Sequence, residues 1–179
     1  MMTDFAPIRP ATAADLPAVA ALYDKIHAEE RAGRTTTGWL AGIYPVRATA
    51  ESALARGDLL VYDDGAVRAS YILNQVQVDV YAGAPWTLDV PDAQVMVLHT
   101  LVVDPAASGR GIGRTMVAYY EAYARAHGCT ALRMDTNARN TAARHLYAKL
   151  GYREIGVVPC EFNGIPGVQL VLLEKSAAV

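Results

Sequence analysis

Residues 95–114 read VMVLHTLVVDPAASGRGIGR and carry the clearest local structural signals in the chain. Residues 95–103 are almost wholly apolar and rich in β-branched side chains, which is typical of a strand covered on both faces. Asp104-Pro105 ends the strand, because proline has no amide donor and restricts the residue before it. The glycine-rich run 109–113 follows, and apolar residues then recur at a helical period. The stretch therefore predicts a buried strand, a glycine-rich loop and the start of a helix.

A strand, a glycine-rich loop and a helix in this order suit the binding of phosphate groups. Residues without side chains let the backbone approach an anion closely, and the first amides of a helix have no partner within it. A Walker loop would need Gly-Lys-Ser/Thr where Arg114-Thr115 stands, and a Rossmann loop would need a glycine at position 114. On the loop alone, two interpretations stay open: a polyphosphate site, or a turn that caps the helix and binds nothing.

A second pattern lies downstream of the loop. Asn140, Ala143, Tyr147 and Gly151-Tyr152 follow the spacing Asn-x-x-Ala-x-x-x-Tyr-x-x-x-Gly-Tyr. Together with the loop 108–113, read as Ser-Gly-Arg-Gly-Ile-Gly, this pattern resembles the GNAT superfamily of N-acetyltransferases. The loop signature of that family is Gln/Arg-x-x-Gly-x-Gly/Ala, and serine stands here in its first position. The resemblance covers residues 94–153.

The resemblance and the patterning together predict one domain over residues 1–179 with a mixed α/β (α+β) fold. We expect a twisted, mostly antiparallel sheet of about seven strands and about four helices, with a parallel βαβ crossover at the cofactor site. The predicted strands are 5–9, 59–62, 66–80, 95–103, 131–135, 153–158 and 168–173. The predicted helices begin near residues 16, 48, 112 and 141.

Composition excludes several classes of protein. With 53% hydrophobic and 19% charged residues, the chain is typical of a globular protein. It has no apolar run of membrane length and no basic segment followed by an apolar one, so we expect a cytoplasmic protein with no membrane partner. Cys129 and Cys160 lack metal-ligand spacing, so no metal site and no disulfide are expected. No basic cluster is interleaved with aromatics, which argues against nucleic acid as a partner.

The resemblance implies acetyl-CoA as the co-substrate. In the family, two parallel strands splay apart, and free backbone groups of the central strand bind the pantetheine arm as a sheet edge would. The glycine-rich loop then holds the pyrophosphate, and the asparagine of the second pattern lies near the pantetheine. The expected cofactor-binding residues are Leu101, Val102, Val103, Gly109, Arg110, Gly111, Ile112, Gly113, Arg114 and Asn140.

Two residues are the expected catalytic groups. The resemblance implies that Tyr147 is the general acid that protonates the departing thiolate, and the alternative is a tyrosine that only packs in the core. His99 is the one titratable side chain within the central strand, and alternation places it on the same face as Leu101 and Val103. It is therefore a candidate base, and the alternatives are a buried, hydrogen-bonded histidine or ordered water as the base.

The acceptor is expected to be the primary amine of a small molecule or of a peptide or protein N-terminus, which attacks the thioester directly. Trp39 and Tyr44 lie in the irregular segment 34–46, which covers the acceptor site in the family, and Asn74 lies in a predicted strand. These three are the candidate acceptor-binding residues, unless the aromatic rings only anchor their segment to the core. The runner-up function is a non-catalytic acyl-CoA-binding module that regulates a partner. Dimers are common in the family, so a homodimer is one expected state.

Overall fold

The computed structural model describes residues 5–178 of the chain. Among these residues, seven strands and four α-helices follow one another along the chain, with four short 3₁₀ turns between them. In chain order they are β1 (Ile8–Pro10), α1 (Leu16–Arg31), α2 (Arg47–Arg56), β2 (Leu59–Asp63), β3 (Val67–Asn74), β4 (Val95–Val103), α3 (Ile112–Ala126), β5 (Ala131–Asn137), α4 (Thr141–Lys149), β6 (Arg153–Phe162) and β7 (Ile165–Ser176).

The strands form one sheet in the order β1-β2-β3-β4-β5-β7-β6. Every neighbouring pair is antiparallel except β4 and β5, which α3 connects as a parallel crossover. This architecture confirms the predicted mixed α/β fold, with its seven strands, four helices and single parallel pair. The parallel pair lies at the centre of the sheet, and its first strand, β4, is the strand predicted at residues 95–103.

Different elements cover the two faces of the sheet. The α3 and α4 helices pack on one face, where Met116 and Tyr120 meet the strand residues Leu98 and Met134. The α1 and α2 helices cover the first half of the other face. Over β4, β5 and β7 that second face has no helix, and the connection 75–94 packs there instead with Tyr81 buried beneath it. We call the face under α3 and α4 the helical face. We call the opposite face, which α1, α2 and the connection 75–94 cover, the loop-covered face.

Several strand ends differ from the prediction. The third strand ends at Asn74 and not near residue 80, because the chain then leaves the sheet to cover its face. The first strand is Ile8–Pro10 and not 5–9. The last two strands are longer than predicted and meet at a two-residue turn, where Asn163 and Gly164 have φ of 52° and 76°. Asn-Gly is the preferred sequence of such a hairpin turn, and Pro159 is tolerated because β6 is an edge strand.

A bulge interrupts the alternation of β4. Thr100 has φ of 51°, and the pairing with β3 passes from Ile72↔His99 to Ser70↔Val102, so three steps on β4 match two steps on β3. One extra residue in a strand turns every later side chain to the opposite face. His99 therefore does not share a face with Leu101 and Val103, and that expectation is wrong.

Candidate active site

The two parallel strands separate halfway along their length. Pairing between β4 and β5 runs from Val95↔Ala131 to Leu98↔Met134 and stops there, although both strands continue. We call the opening between residues 99–103 and 135–137 the fork. At the fork, β5 keeps its pairing with β7, and β4 keeps its pairing with β3. Each strand therefore has one edge of backbone groups that a ligand can pair with.

The loop after β4 carries a row of backbone amides. Gly111 is the N-cap of α3 with φ of 77°, a left-handed conformation that glycine adopts without strain. Within the described residues, the amides of residues 109–114 donate to no backbone carbonyl. We call this row the amide cradle. It lies at the positive end of the α3 dipole, so its geometry suits an anionic group.

The side chains of the predicted cofactor-binding residues have different surroundings. Arg110 donates to Asp64 at 2.8 Å, so its guanidinium lies against the turn between β2 and β3. Ile112 is buried in the core, and Val102 packs under α1 and α2. These two residues thus offer a ligand only their backbone groups. Asn140 caps α4 by accepting a bond from the Ala143 amide at 3.2 Å.

A cavity of about 130 Å³ lies at the fork and is lined from both faces of the sheet. We call it the central cavity. The helical face contributes Tyr147 from α4, and the segment 34–46 contributes Trp39 and Tyr44 on the other side. The lining residues are Thr37, Gly38, Trp39, Tyr44, Val78, Leu98, His99, Thr100, Leu101, Asp135, Thr136, Asn137, Asn140, Ala143, Tyr147, Phe162, Asn163, Ile165, Val168 and Leu170. The central cavity therefore brings together residues from both motifs and from the irregular segment.

Tyr147 is buried in α4 and faces this cavity. Burial raises the pKa of its hydroxyl well above the ordinary value, and the nearby Asp135 charge raises it further. The hydroxyl therefore keeps its proton at neutral pH and is available as a donor. Its ring also packs edge-on against Tyr152, with centroids 6.0 Å apart. A variant that lacks only the hydroxyl separates the donor role from the packing role.

Asp135 is a residue that the motif analysis did not select. It lies in β5 just past the last pair with β4, and its Oδ2 accepts a bond from the Tyr81 hydroxyl at 2.6 Å. Burial raises the pKa of Asp135 to about 6, and the bond from Tyr81 opposes that shift. A carboxyl with a pKa near neutrality suits proton transfer. The available signal was a carboxylate in a mostly apolar strand, five residues before the asparagine of the second pattern.

His99 has a different environment from the one expected. Its Nε2 lies 2.9 Å from Asn74 Oδ1, and since an amide oxygen only accepts, Nε2 carries the proton. Burial is the main cause that lowers the pKa of His99 to about 4. The ring is therefore neutral at pH 7 and is a weaker base than Asp135.

Asn74 does not line the central cavity. It lines a separate, shallower hollow beside α2, together with His99 and Arg56. Its Oδ1 also accepts from the Val76 amide at 2.9 Å, and its Nδ2 donates to Asp58 at 3.0 Å. The polar atoms of Asn74 thus hold the end of β3 in place. Asn74 shares the shallower hollow with Tyr44, but the structure does not bring it together with Trp39.

The segment 34–46 is held over the cavity by one carboxylate. Glu30 accepts bonds from the Thr37 amide and hydroxyl at 2.8 and 2.9 Å and from the Gly38 amide at 3.2 Å. Tyr44 reaches the fork, where its hydroxyl bonds to the Thr100 hydroxyl, and its ring meets Trp39 edge-on at 6.0 Å. Both aromatic residues are therefore anchored and also line the cavity.

Gly38 lies against the side chain of Asn137 in β5, and that side chain would have to move to make room for any larger residue. It has φ of +75°, and an added Cβ would lie 2.2 Å from Asn137 Nδ2. We expect Gly38→Ala to lose about 1–2 kcal/mol of stability from the left-handed backbone and more from this contact, and to raise the KM for the acceptor. Gly33→Ala is the matched control, because it has φ of +69° with nothing within 4 Å. Urea unfolding of both variants measures the difference, and equal losses would contradict the close contact.

Between residues 5 and 178, no helix combines the length and apolar character needed to cross a membrane. The same residues contain no group of three or more His, Cys, Asp or Glu side chains arranged to hold a metal ion. Cys129 and Cys160 are both free thiols.

Several known proteins are similar in sequence over part of the chain. A mycothiol acetyltransferase of Cellulomonas flavigena is 32% identical over 92 residues, which are 51% of this chain and 26% of that protein. An aminoglycoside N(6′)-acetyltransferase type 1 of Klebsiella aerogenes is 30% identical over 76 residues, 42% of this chain and 50% of that protein. The chain therefore spans about a quarter of the length of the mycothiol acetyltransferases that it matches.

Solved structures share the fold over nearly the whole chain. An acetyltransferase of the GNAT family from Streptococcus agalactiae has a TM-score of 0.78 at 22% identity, covering 94% of both chains. A protein from Salmonella typhimurium, solved with its cofactor acetyl-CoA, has a TM-score of 0.65 at 19% identity and covers 96% of this chain and 93% of its own. A model of the Acetyltransferase (GNAT) family matches residues 21–152. Because that match extends over most of the sequence and includes the fork and both motifs, the chain belongs to the acetyltransferase (GNAT) family.

Proposed function

We propose that this protein transfers the acetyl group of acetyl-CoA to a primary amine of a small molecule or of a peptide or protein N-terminus. One observation carries the proposal. The fork opens into the central cavity. The protonated phenol of Tyr147 lines it from the helical face, and the carboxyl of Asp135, which accepts a hydrogen bond from Tyr81 on the loop-covered face, also lines it. Transfer from a thioester to an ammonium needs a proton donor for the thiolate and a proton acceptor for the amine.

The backbone around the fork fits acetyl-CoA. The unpaired edge of β4 at Leu101 and Val103 suits the amides of the pantetheine arm, and the amide cradle suits the pyrophosphate. Each amide bond to a charged oxygen contributes about 1.5–3 kcal/mol, so several of them hold a diphosphate without a lysine. When bound, acetyl-CoA supplies a thioester carbonyl that an amine can attack.

The two side chains have separate tasks in this proposal. Asp135 accepts a proton from the acceptor ammonium and leaves the nitrogen lone pair free for attack. Its pKa of about 6 keeps most of the population ionised at pH 7 while leaving the group basic enough to act. As the C–N bond forms and the C–S bond breaks, the Tyr147 hydroxyl gives its proton to the departing sulfur. The second proton of the attacking nitrogen then restores that hydroxyl, and the first proton leaves Asp135 for solvent.

The cavity also restricts the acceptor. Asp135 is the one carboxylate among the lining residues, and no Lys or Arg side chain is among them. Its remaining walls mix apolar side chains with uncharged polar ones, and Phe162, Ile165 and Leu170 are the apolar side chains on the side of β6 and β7. A cavity of about 130 Å³ is close to the size that holds one benzene molecule in other proteins. The end of the acceptor that enters is therefore a single amine on a slender, uncharged stem.

A panel of amines tests the proposal. Purified protein is incubated with acetyl-CoA and with monoamines, amino-acid amides, peptides with free N-termini, and polyamines. Released CoA is measured, and the acetylated product is identified by its mass. We expect turnover with single-charge amines and peptides, and little turnover with polyamines, because one carboxylate neutralises one charge.

Two outcomes would contradict the proposal. Turnover confined to alcohols or thiols would show that the acceptor is not an amine. Tight binding of acetyl-CoA with no acetylation of any amine in the panel would favour the non-catalytic acyl-CoA-binding module.

A further inference from the structure

Asp135 is held by one hydroxyl. Within residues 5–178, the Tyr81 hydroxyl provides the only side-chain hydrogen bond to its carboxylate, with 2.6 Å between Tyr81 Oη and Asp135 Oδ2. The other ionisable groups that face Asp135 come from every element around it. They are Tyr44 from the segment 34–46, Tyr147 from α4, Cys160 from β6, His99 across the fork, and Arg133 with its partner Glu174 farther along β5 and β7. Within the described residues, none of these groups donates a hydrogen bond to the carboxylate.

Packing and a backbone hydrogen bond hold the Tyr81 hydroxyl in position to donate to Asp135. The side chain is 2% exposed, and the Trp86 ring meets it at 5.0 Å. Trp86 Nε1 also donates to the Tyr81 carbonyl at 2.9 Å, so the indole contacts both ends of the residue. Burial, with the adjacent Asp135 charge, raises the pKa of Tyr81 well above its ordinary value, and the hydroxyl stays protonated.

A buried ion pair anchors the rest of this segment to the sheet. The Arg133 guanidinium lies 4.2 Å from the Trp86 ring centroid and bonds to Glu174 at 3.4 Å. Glu174 in turn accepts from the Thr87 amide and hydroxyl at 2.8 and 2.7 Å and from the Leu88 amide at 3.3 Å. Residues 86–88 of the connection 75–94 are thus fixed to Arg133 in β5 and Glu174 in β7. Tyr81, in the same connection, bonds to Asp135.

We propose that Tyr81 is a positioning residue that holds the Asp135 carboxylate at the fork and stabilises its ionised form. This inference rests on the proposed function for the role of Asp135 as a base. The hydroxyl occupies Oδ2, which leaves Oδ1 to the acceptor amine. The connection 75–94 therefore does more than cover the sheet, because it supplies the hydrogen bond that tunes the acid–base group.

The variant Tyr81→Phe removes this hydroxyl and keeps the ring against Trp86. The ionised carboxylate then loses its donor, so protonation of Asp135 becomes easier and its titration midpoint moves up from about 6. A hydrogen bond to a charged group corresponds to a shift of about one to two pH units. Because the ionised form is the active one, activity at pH 6 falls, and activity at pH 9 approaches that of the parent protein.

Carbon-13 NMR of the aspartate carboxyl groups measures this midpoint without any need for turnover. The Asp135 signal is assigned by its absence in Asp135→Asn. The control is Tyr71→Phe, since the Tyr71 hydroxyl is also buried and has no hydrogen-bond partner among the described residues. We expect a higher midpoint in Tyr81→Phe and the parental midpoint in Tyr71→Phe.

The outcomes separate this inference from the proposed function. An unchanged midpoint in Tyr81→Phe, with the near-ultraviolet circular dichroism of the parent retained, would overturn the inference even if amines are acetylated. A raised midpoint in a protein that acetylates no amine would support the Tyr81–Asp135 interaction and overturn the proposed function. If the inference and the proposed function are both correct, the acid limb of the pH–rate profile of Tyr81→Phe moves by the same amount as the NMR midpoint of Asp135.

Discussion

Tyr147→Phe is expected to lower kcat by about 10²- to 10⁴-fold and to leave the affinity for acetyl-CoA nearly unchanged. The hydroxyl faces the central cavity and is protonated at neutral pH, so its loss removes the donor for the departing thiolate. The ring remains and still packs against Tyr152. Steady-state kinetics with an amine found in the panel, together with calorimetric titration of acetyl-CoA, measures both quantities.

Tyr23→Phe is the matched control for this variant. Tyr23 is a fully buried tyrosine in α1, and its hydroxyl has no hydrogen-bond partner among the described residues. Its variant should keep the kcat of the parent protein. If Tyr147→Phe retained kcat within a few-fold, Tyr147 would be a packing residue, and the thiolate would leave without a protein donor.

Asp135→Asn is the second variant with a large expected effect. The amide keeps the size of the side chain and can still bond to the Tyr81 hydroxyl through its oxygen, but it accepts no proton from an ammonium. We expect kcat/KM to fall by about 10²- to 10⁴-fold at pH 7. In the parent protein the rate should rise with pH through about 6, because the ionised carboxylate is the active form. That limb should be absent from the variant.

The comparison with His99→Gln decides between the two candidate bases. Burial lowers the pKa of His99 to about 4, so its titration lies below that of Asp135. We therefore expect His99→Gln to keep the limb near pH 6, with a smaller loss of rate from its lost bond to Asn74. Loss of the limb in His99→Gln and its survival in Asp135→Asn would assign the base to His99 instead.

The central part of the fold was predictable because its signals are local. Residues 95–103 are apolar throughout, Asp104-Pro105 ends the strand, and glycines precede a helical period, so the strand, loop and helix follow from backbone chemistry. The order strand, long helix, strand requires a parallel crossover, which is the β4–α3–β5 unit. Trp39 and Tyr44 could also be selected, since large rings in an irregular segment require a surface to pack on.

Other features depend on contacts distant in sequence. The bulge at Thr100 lies within a continuous apolar run, and nothing in that run marks where alternation breaks, so His99 was assigned to the wrong face. Asn74 was predicted to bind the acceptor. Its bonds to Asp58 and His99, which hold it at the end of β3, form between residues distant in sequence and were not visible from the sequence. Asp135 gains its raised pKa from burial at the fork, and the Tyr81 donor arrives from a segment 54 residues away.

The Asn163-Gly164 turn was a local signal that the patterning did not use. The dipeptide is a strong hairpin marker, but residues 159–167 were predicted to be a loop between the last two strands. Proline is acceptable in an edge strand, and whether a strand lies at the edge depends on the order of the whole sheet. The length of β6 therefore became clear only from the topology.

Calorimetric titration of the purified protein with acetyl-CoA, CoA and ATP in parallel tests the roles of the cradle and the fork. The amide cradle supplies contacts for a diphosphate, and the fork supplies an edge for the pantetheine arm that ATP lacks. We predict tight binding of acetyl-CoA and CoA and no measurable binding of ATP. Failure of acetyl-CoA to bind would contradict the assignment of the cradle and the fork, and the roles of Tyr147 and Asp135 would fall with it.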